Sequence, residues 1–490
     1  MALPWRRMVV GLALAAASAL CLTLAFPPWN LGALIWVGFV PMLLAQHRVL
    51  PRRLASLAPA VTIGGWLGAL LVPMFGGKST VMAAVPLAVG ALALLLDRDK
   101  RRFHEATAYR WFVPEGVVGW VGLEMARSFV PAFGTWAFVG YTLWRWPGLL
   151  QPLSLVGIYG LDLLIMLGNY ALAQAALALW DRRWPGEAPV VPPRMAGRWL
   201  GATALLLALW GSLSLMLYSG RGDARPTVRV AAVQPNLPRA AHRDAHTSAE
   251  QRLGTLAAQT RQAAAAGAEV VVWPEMALGF DPQVERTAAL QGLAAETGAI
   301  LAIGYVLDGP GGFRNEATVL TPAGRFLGVY GKTHPAVFSG EPATVSSGTY
   351  PAYRTDGGRL ATMICFDANF TDVARRLADG GAQVVAMPSL FGPSIAAVPH
   401  TQIVFRAIEH RLAVVMADVA YNSAVVDPFG RVVGSAITPE GAAATLVAAV
   451  PLAGGPTLYT CWGDWLGWLS LGGLAFFVAF IPWTLRRRAA

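Results

Sequence analysis

Long apolar runs constrain this chain more than any other feature. Stretches of roughly 17–25 apolar residues are long enough to cross a bilayer, and eight such runs occupy residues 8–26, 31–47, 55–76, 79–96, 112–130, 152–178, 199–218 and 464–485. Only 13% of the 490 residues are charged, against about 25% in a typical soluble protein. The sequence therefore predicts a polytopic membrane protein with a bundle of eight spanning helices.

Basic residues gather in every second connection between these runs. They are Arg6, Arg7, Arg48, Arg52, Arg53, Arg98, Lys100, Arg101, Arg102, Arg182, Arg183, Arg194, Arg198, Arg486, Arg487 and Arg488. Because cytoplasmic connections carry the excess of lysine and arginine, both termini are predicted to be cytoplasmic. The net charge of +10 is then a topology signal, and the chain shows no pattern typical of a nucleic-acid surface.

The long connection between the seventh and eighth runs, residues 219–463, is predicted to lie outside the cytoplasm. Short β-branched runs alternate there with helical stretches, which is typical of a layered α/β domain. The predicted strands are Val228–Val233, Val270–Trp273, Ile300–Val306, Glu316–Leu320, Arg325–Tyr330, Leu360–Cys365, Val384–Met387 and Val414–Asp418. The predicted helices are Ser248–Ala266, Gln283–Thr297, Thr371–Ala378 and Thr401–Arg411. Thr247 and Glu250 match a capping box.

The chain accordingly divides into three predicted parts. Residues 1–218 form the first seven membrane helices, residues 219–455 the extracytoplasmic domain, and residues 456–490 the eighth helix with a basic cytoplasmic tail. Of three cysteines, Cys21 and Cys461 lie in or beside apolar runs and are expected to be packing residues. The sequence shows no metal-ligand set and no phosphate loop, so no cofactor is predicted.

Three predicted strands end in reactive side chains. Glu275 follows an apolar strand that stops at Pro274, Lys332 ends a hairpin, and Cys365 ends a third strand. A carboxylate, an ammonium and a thiol are the groups that covalent acyl transfer requires, because the carboxylate takes the thiol proton and the cation stabilises the oxyanion. Taken together they predict a catalytic site.

The motifs around these residues resemble a known superfamily. Trp273-Pro274-Glu275, Tyr330-Gly331-Lys332 and Ile364-Cys365-Phe366-Asp367 are similar to the Glu–Lys–Cys motifs of the carbon–nitrogen hydrolases, or nitrilases. Eight spans with the domain before the last one resemble the apolipoprotein N-acyltransferase family. The resemblance implies a nitrilase-like αββα sandwich beside the helical bundle.

The resemblance also implies an activity. Glu275 would be the general base, Cys365 the nucleophile and Lys332 the oxyanion-stabilising cation. A phospholipid would donate an acyl chain to the cysteine as a thioester, and the amino group of a diacylglyceryl-cysteine lipoprotein would accept it. The expected location is the bacterial cytoplasmic (inner) membrane, with the catalytic domain on the periplasmic side and the protein a monomer.

Further residues are candidates for substrate contacts. Phe366 and Phe391 are expected to line the pocket. Glu341 either hydrogen-bonds Lys332 or the reacting amine or is a solvated loop residue, and Asn315 either serves the site or shapes the hairpin. His334 either lines the pocket or lies at the surface. Two apolar, Gly/Pro-rich loops, Pro335–Val345 and Phe391–Pro399, are candidates for a lid.

Some stretches depart from the family pattern. Residues 387–392 read Met-Pro-Ser-Leu-Phe-Gly in place of Asn-Asp-x-Trp-Phe-Gly, Asp367 replaces a glutamate, and Val419–Ser423 replace an Asn-Asn-Gly stretch. A membrane-bound amidase that uses water, or an acyltransferase with another acceptor, is the alternative, and a non-catalytic lipid-binding scaffold is the third. In the fifth apolar run, the charged residues Glu124 and Arg127 either pair with each other or have a functional role.

Overall fold

The computed structural model describes residues 5–75, 80–185, 190–219, 225–237, 247–395 and 400–489. The first part is helical. Its helices are α1 (Trp5–Ala25), α2 (Val40–Leu44), α3 (Leu57–Phe75), α4 (Thr80–Leu96), α5 (Lys100–Ala106), α6 (Phe112–Ser128), α7 (Leu153–Arg183) and α8 (Pro193–Ser219). Residues 219–223, at the predicted domain boundary, lie mostly outside the described ranges, as do residues 396–399 of the second predicted lid loop.

Within these ranges, six segments are long and apolar enough to cross a membrane. They are Trp5–Ala25, Gly32–Val49, Arg52–Pro73, Leu153–Arg183, Pro193–Ser219 and Trp465–Arg488. The two other predicted spans are the 17-residue helices α4 and α6, so membrane integration is clear while the count of eight stays a prediction. The second span is not a continuous α-helix, because a 3₁₀ helix (Gly32–Trp36), α2 and a π-helix (Ala45–Val49) follow one another.

The charged residues of α6 do not form the pair that their spacing suggested. Arg127 donates a hydrogen bond to the carbonyl oxygen of Trp136 and lies over the ring of Phe138 at 4.9 Å. No ion pair joins Arg127 to Glu124 in the described part of the chain. The prediction that Glu124 and Arg127 form an ion pair on one helix face is therefore wrong. The loop after α6 supplies the hydrogen-bond acceptor for the Arg127 guanidinium instead.

The second part is an α/β domain with two six-stranded sheets. Its strands are β1 (Thr227–Gln234), β2 (Val270–Val272), β3 (Ile300–Gly309), β4 (Gly312–Leu320), β5 (Phe326–Gly331), β6 (Ala352–Thr355), β7 (Gly358–Thr362), β8 (Val384–Ser389), β9 (Ala413–Asp418), β10 (Asn422–Val426), β11 (Val432–Ile437) and β12 (Ala444–Pro451). The sheet orders are β12-β1-β2-β3-β4-β5 and β11-β10-β9-β8-β7-β6.

Helices cover the outer face of each sheet. They are α9 (Ala249–Ala265), α10 (Thr287–Thr297), α11 (Thr371–Asp379) and α12 (His400–His410). The first two pack on the β1–β5 sheet, the last two on the other, and valine-rich inner faces fill the space between the sheets. The predicted αββα sandwich is confirmed. The chain then returns to the bundle through α13 (Leu458–Trp462) and α14 (Trp465–Ala489).

All eight predicted strands and all four predicted helices of this domain are present. The sequence missed β6, β10, β11 and β12. The capping box is one residue away from the prediction, because Ser248 accepts from the backbone of Gln251 and the Gln251 side chain accepts from the backbone of Ser248.

The two parts share one hydrophobic core, which runs from the membrane helices to the strands beside Cys365. At their junction α7 is interrupted at Gly157, whose φ of +62° breaks the helix. The freed backbone N–H of Ile158 donates to Glu409 Oε1 at 3.0 Å, and Glu409 also pairs with Arg406 at 2.9 Å, with both side chains fully buried. A carboxylate suits a helix N-terminus because the helix dipole is positive there. The sandwich is thereby fixed to a membrane helix.

Candidate active site

Glu275 stands just beyond the end of β2. Buried valines form this strand, and the indole Nε1 of Trp273 donates to Thr260 Oγ1 at 2.9 Å, which anchors the strand end on α9. Pro274 cannot continue the ladder, so the chain turns and presents the carboxylate. The backbone N–H of Glu275 donates to Ser389 O at 3.3 Å, across to the other sheet.

Lys332 follows β5 and reaches the same point from the edge of the sheet. Its backbone N–H donates to Asn315 O at 2.9 Å. The ammonium Nζ lies 2.8 Å from Glu275 Oε1 and 2.7 Å from Glu341 Oε2, and all three side chains are at most 8% exposed. A buried ammonium between two carboxylates is a fixed positive charge of the kind that stabilises an oxyanion.

Cys365 opens the 3₁₀ turn Cys365–Asn369 after β7. Its φ is +47°, a left-handed conformation that costs a residue with a Cβ roughly 1–2 kcal/mol. The thiol Sγ lies 3.8 Å from Leu390 O. Strained turns of this kind occur at functional sites, where the surrounding structure holds a side chain in a set direction.

The charges of the three groups act on one another. Burial raises the pKa of the Cys365 thiol, the charge of Glu275 raises it further, and Lys332 works in the opposite direction. Burial lowers the pKa of Lys332, but the charges of Glu275, Cys365 and Glu341 outweigh it, so this pKa is raised overall. The resting site therefore holds a thiol and an ammonium, and the thiol becomes a nucleophile when a base takes its proton.

Asn315 and Glu341 belong to the same network. Asn315 Nδ2 donates to Glu275 Oε1 at 2.7 Å and to Glu341 Oε1 at 2.6 Å. Glu341 Oε2 accepts from the backbone N–H of Ala336 at 2.8 Å in addition to Lys332. Of the alternatives for Glu341 and Asn315, the structure thus favours a role at the site. Glu341 comes from the predicted lid loop Pro335–Val345, so that loop contributes to the polar network.

Within the described residues, Asn315 and Lys332 both donate their hydrogen bonds to Oε1 of the Glu275 carboxylate. This leaves Oε2 as the oxygen that can take a proton from the thiol. The arrangement can therefore perform base-assisted nucleophilic attack next to a fixed cation. In the described ranges, no group of three or more His, Cys, Asp or Glu side chains could hold a metal ion.

The predicted substrate-contact residues differ in their surroundings. Phe366 packs edge-on against Phe338 and Phe370, with ring centroids 5.1 and 5.6 Å apart. His334 stacks on Phe370 at 3.7 Å, and its Nε2 lies 2.9 Å from Asp372 Oδ1. The contacts of the His334 ring are thus with Phe370 and Asp372, which are not members of the triad.

Phe391 is the fifth predicted substrate-contact residue. Its backbone N–H donates to Asp418 Oδ1 at 2.7 Å, and its ring packs against the core shared with the membrane helices. The other oxygen of Asp418 accepts from the backbone of residues 420–422. Asp418, which the sequence did not single out, thereby sets the position of the Phe391 loop.

Asp367 was noted in the sequence only as a replacement for glutamate, and its role is larger. Its Oδ2 accepts from Tyr330 Oη at 2.6 Å and from Ile364 N at 2.9 Å. Its Oδ1 accepts from Thr333 N at 3.2 Å and from His334 N at 2.8 Å. One buried carboxylate therefore joins the Lys332 segment to the Cys365 turn.

Comparison with known proteins adds to this geometry. The family model for the apolipoprotein N-acyltransferase N-terminal domain matches residues 18–171, and the carbon–nitrogen hydrolase model matches residues 229–455. The apolipoprotein N-acyltransferase of Geobacter metallireducens is 27% identical, over 95% of this chain and 94% of its own length. That of Gloeobacter violaceus is 28% identical, over 95% of this chain and 93% of its own.

The chain belongs to the apolipoprotein N-acyltransferase family. This is an acyltransferase family within the carbon–nitrogen hydrolase superfamily, so the chain is an enzyme of that type. Among solved structures, an amidase from Nesterenkonia sp. is similar in fold, with 22% sequence identity and a TM-score of 0.38. The match covers 46% of this chain and 90% of the amidase chain.

The stretch in which this member of the apolipoprotein N-acyltransferase family departs from the family pattern lies next to the thiol. Met387 and Ser389 are buried in β8, and the carbonyl oxygen of Leu390 lies 3.8 Å from the thiol sulfur. The triad network does not use the side chains of Met387 or Leu390. The departure therefore changes a wall of the site and leaves the Glu–Lys–Cys network in place.

Proposed function

We propose that this enzyme transfers a fatty acyl chain from a membrane phospholipid, through a thioester on Cys365, to the N-terminal amino group of a diacylglyceryl-cysteine lipoprotein. The observation that supports this proposal most directly is the buried ion pair of Glu275 and Lys332, 2.8 Å apart, beside a thiol on a strained turn. The core of this domain continues into membrane helices, which supports a substrate drawn from the bilayer. The names of the relatives support the lipoprotein acceptor.

In the first step Glu275 takes the proton of the Cys365 thiol, and the thiolate attacks the ester carbonyl carbon of the phospholipid. The carbon–sulfur bond forms, and the Lys332 ammonium stabilises the negative charge on the carbonyl oxygen. The carbon–oxygen bond to the glycerol then breaks. The proton on Glu275 passes to the leaving lysophospholipid oxygen, so the step balances.

In the second step the α-amino group of the lipoprotein attacks the thioester. Glu275 takes a proton from this amine while the carbon–nitrogen bond forms. The carbon–sulfur bond breaks, and the proton returns to the Cys365 sulfur. Because the first product leaves before the second substrate reacts, ping-pong kinetics are expected.

The predicted division of the chain fits this reaction. Residues 1–218 and 456–490 would anchor the enzyme in the bacterial inner membrane, and residues 219–455 would work on the periplasmic side as part of a monomer. The alternation of basic connections supports this orientation. Both substrates carry lipid chains, so a catalytic domain at the membrane surface is where they would meet it.

The test is mass spectrometry of a lipoprotein N-terminus after incubation with purified enzyme and phospholipid. The wild-type chain is expected to add one acyl group in amide linkage and to form a labelled thioester with radiolabelled donor. Cys365→Ser should form no thioester, whereas Cys461→Ser, which changes an exposed cysteine, should behave as wild type. A thioester-type adduct that persists in Cys365→Ser would contradict the assignment.

The same assay separates the alternative, a hydrolase that uses water. A hydrolase would release free fatty acid and leave the lipoprotein unchanged, while still losing activity in Cys365→Ser. Release of free acid without N-acylated product would therefore keep Cys365 as the nucleophile and overturn the proposed acceptor.

A further inference from the structure

A polar pocket lies apart from the triad. Its volume is 370 Å³, and its lining includes Arg225, Arg411, Phe429 and the outer end of α8 at Met216 and Leu217. Strands β7, β8 and β9 run parallel. Cys365 follows the end of β7, whereas Arg411 precedes the start of β9. The thiol therefore lies beyond the carboxyl ends of these parallel strands, and the pocket lies at their amino ends.

The two arginines of this pocket share one aromatic ring. The guanidinium carbons of Arg225 and Arg411 lie 5.4 and 4.9 Å from the centroid of Phe429. Arg411 donates to neutral oxygens: Gln151 Oε1 at 2.6 Å, Pro428 O at 3.3 Å and Ser154 Oγ at 3.4 Å. These contacts fix the direction of the guanidinium without neutralising its charge.

Asp427, the carboxylate whose charge acts on Arg411, already forms an ion pair with another arginine. Asp427 pairs with Arg431 at 2.6 Å, and within the described ranges neither Arg225 nor Arg411 forms an ion pair. Burial and the charge of Arg225 together lower the pKa of Arg411 to about 10, against the raising effect of Asp427, so Arg411 is still protonated at neutral pH. Two like charges over one ring favour an anion between them, and arginine matches phosphate best because its fork can donate two hydrogen bonds.

One face of α8 leads from this pocket into the bilayer. Leu206, Leu209, Trp210 and Leu213 line a 440 Å³ cavity that α6, α7 and α14 complete with apolar side chains. Leu213 lies three and four residues before Met216 and Leu217, so these side chains share one helix face. An apolar stripe along a helix long and apolar enough to cross a membrane thus ends at a pair of arginines.

We propose that this surface binds a phospholipid in a site separate from the catalytic one. The phosphate group lies between Arg225 and Arg411, and one acyl chain follows the α8 stripe into the apolar cavity. A phospholipid fits better than a water-soluble phosphate because the apolar cavity and the arginine pair are joined by the same helix face. The inference rests on membrane integration and does not require the proposed reaction.

The experiment uses the full chain purified in detergent and a phospholipid whose acyl chain carries a diazirine. After irradiation, the labelled peptide is identified by mass spectrometry. The label is expected on α8, reduced at least tenfold in Arg225→Gln/Arg411→Gln and unchanged in Arg354→Gln, an exposed arginine on β6. Arg225→Gln alone should also reduce it, which guards against misfolding of the double variant.

Matched variants and competitors define the ligand. Leu213→Trp should reduce the α8 label because it fills the cavity, whereas Leu215→Trp, which is 70% exposed before substitution, should not. Cys365→Ser should retain the label, as expected for a separate site. Unlabelled phospholipid should compete, and glycerol phosphate or diacylglycerol at equal concentration should not. A label that survives loss of both arginines, or equal competition by glycerol phosphate, would overturn the proposal.

Discussion

Asp367 offers the sharpest test of how the site is built. Its carboxylate accepts four hydrogen bonds: three from the Lys332 segment, namely Tyr330 Oη, Thr333 N and His334 N, and one from Ile364 N beside Cys365. Asp367→Asn keeps the shape of the side chain but replaces one oxygen with an NH₂ group. This substitution therefore changes the connection between Lys332 and Cys365 while leaving both residues in the protein.

The expected loss of rate in Asp367→Asn depends on which hydrogen bond is lost. If the NH₂ group takes the place of Oδ2, the Tyr330 hydroxyl can rotate to accept from it, and only the N–H of Ile364 is left without a partner. The opposite orientation leaves the N–H groups of Thr333 and His334 unpaired. One buried unpaired N–H costs about 1–3 kcal/mol. A rise of about 1.36 kcal/mol in the activation free energy slows a reaction tenfold. If the cost of the unpaired N–H adds fully to the activation free energy, thioester formation slows by about 5- to 150-fold.

The assay is single-turnover formation of the acyl-enzyme from radiolabelled phospholipid. Asp372→Asn is the matched control, since Asp372 is also a carboxylate beside His334 (2.9 Å) but does not contact the Cys365 turn. Asp367→Asn should show the slow rate, and Asp372→Asn should stay within about twofold of wild type. Equal rates in the two variants would refute the view that Asp367 positions the nucleophile.

The pH dependence of stability gives an independent readout. Burial raises the pKa of Asp367 from 3.8 to about 6, against the effect of its hydrogen bonds. A raised carboxyl pKa means that this group stabilises the fold most below pH 4, and that up to about 3 kcal/mol is lost as the pH rises through 6. The apparent Tm of wild type should therefore fall more than that of Asp367→Asn between pH 4 and 7. Parallel Tm curves would contradict this.

Three further substitutions have defined outcomes. Glu341→Gln removes one of the two carboxylates that contact Lys332 at less than 3 Å, and about a tenfold fall in kcat is expected in the acyl-transfer assay, with little change in Tm. Glu409→Gln leaves the guanidinium of Arg406 buried without its charge partner, which costs about 3–5 kcal/mol and should lower the apparent Tm by several degrees; unchanged Tm would refute it. Gly157→Ala places a Cβ 2.1 Å from an aromatic ring at a φ of +62°, so a drop in Tm is expected, measured against Gly197→Ala, which has open space.

The sequence predicted the positions of Glu275, Lys332 and Cys365 because local rules place them. β2 and β7 lie in short apolar runs, which predict buried strands, and Glu275 and Cys365 each follow three residues after the strand ends. β12 was missed because its alanine-rich sequence has weak strand propensity, and it is paired with β1 over a separation of more than two hundred residues, from Thr227–Pro451 to Gln234–Ala444. Only the assembled sheet shows that partner.

The role of Asp367, and the choice between the two roles considered for Asn315, were beyond sequence reasoning for the same reason. Asp367 joins residues 33 to 37 positions away along the chain, and Asn315 contacts Glu275 at a separation of 40. Residue spacing along one strand or helix carries no information on such contacts. They depend on how the ends of β2, β5 and β7 converge, which is a property of the two packed sheets.

The Cys365 turn is also attached to the membrane part of the protein. The carbonyl oxygen of Asn369, at the end of this turn, accepts from both the backbone N–H and the hydroxyl of Thr135, each at 2.8 Å. Thr371 Oγ1 donates to Asp464 Oδ2 at 2.6 Å, just before α14. A misplacement of about 1 Å can cost a hundredfold in rate, so under the proposed function a nucleophile that takes an acyl chain from the bilayer gains from a turn fixed to the membrane helices. Asp367 fixes that turn to the segment that carries Lys332, and Thr135 and Asp464 fix it to the membrane part of the protein, which together set the thiol relative to both the Lys332 ammonium and the membrane helices.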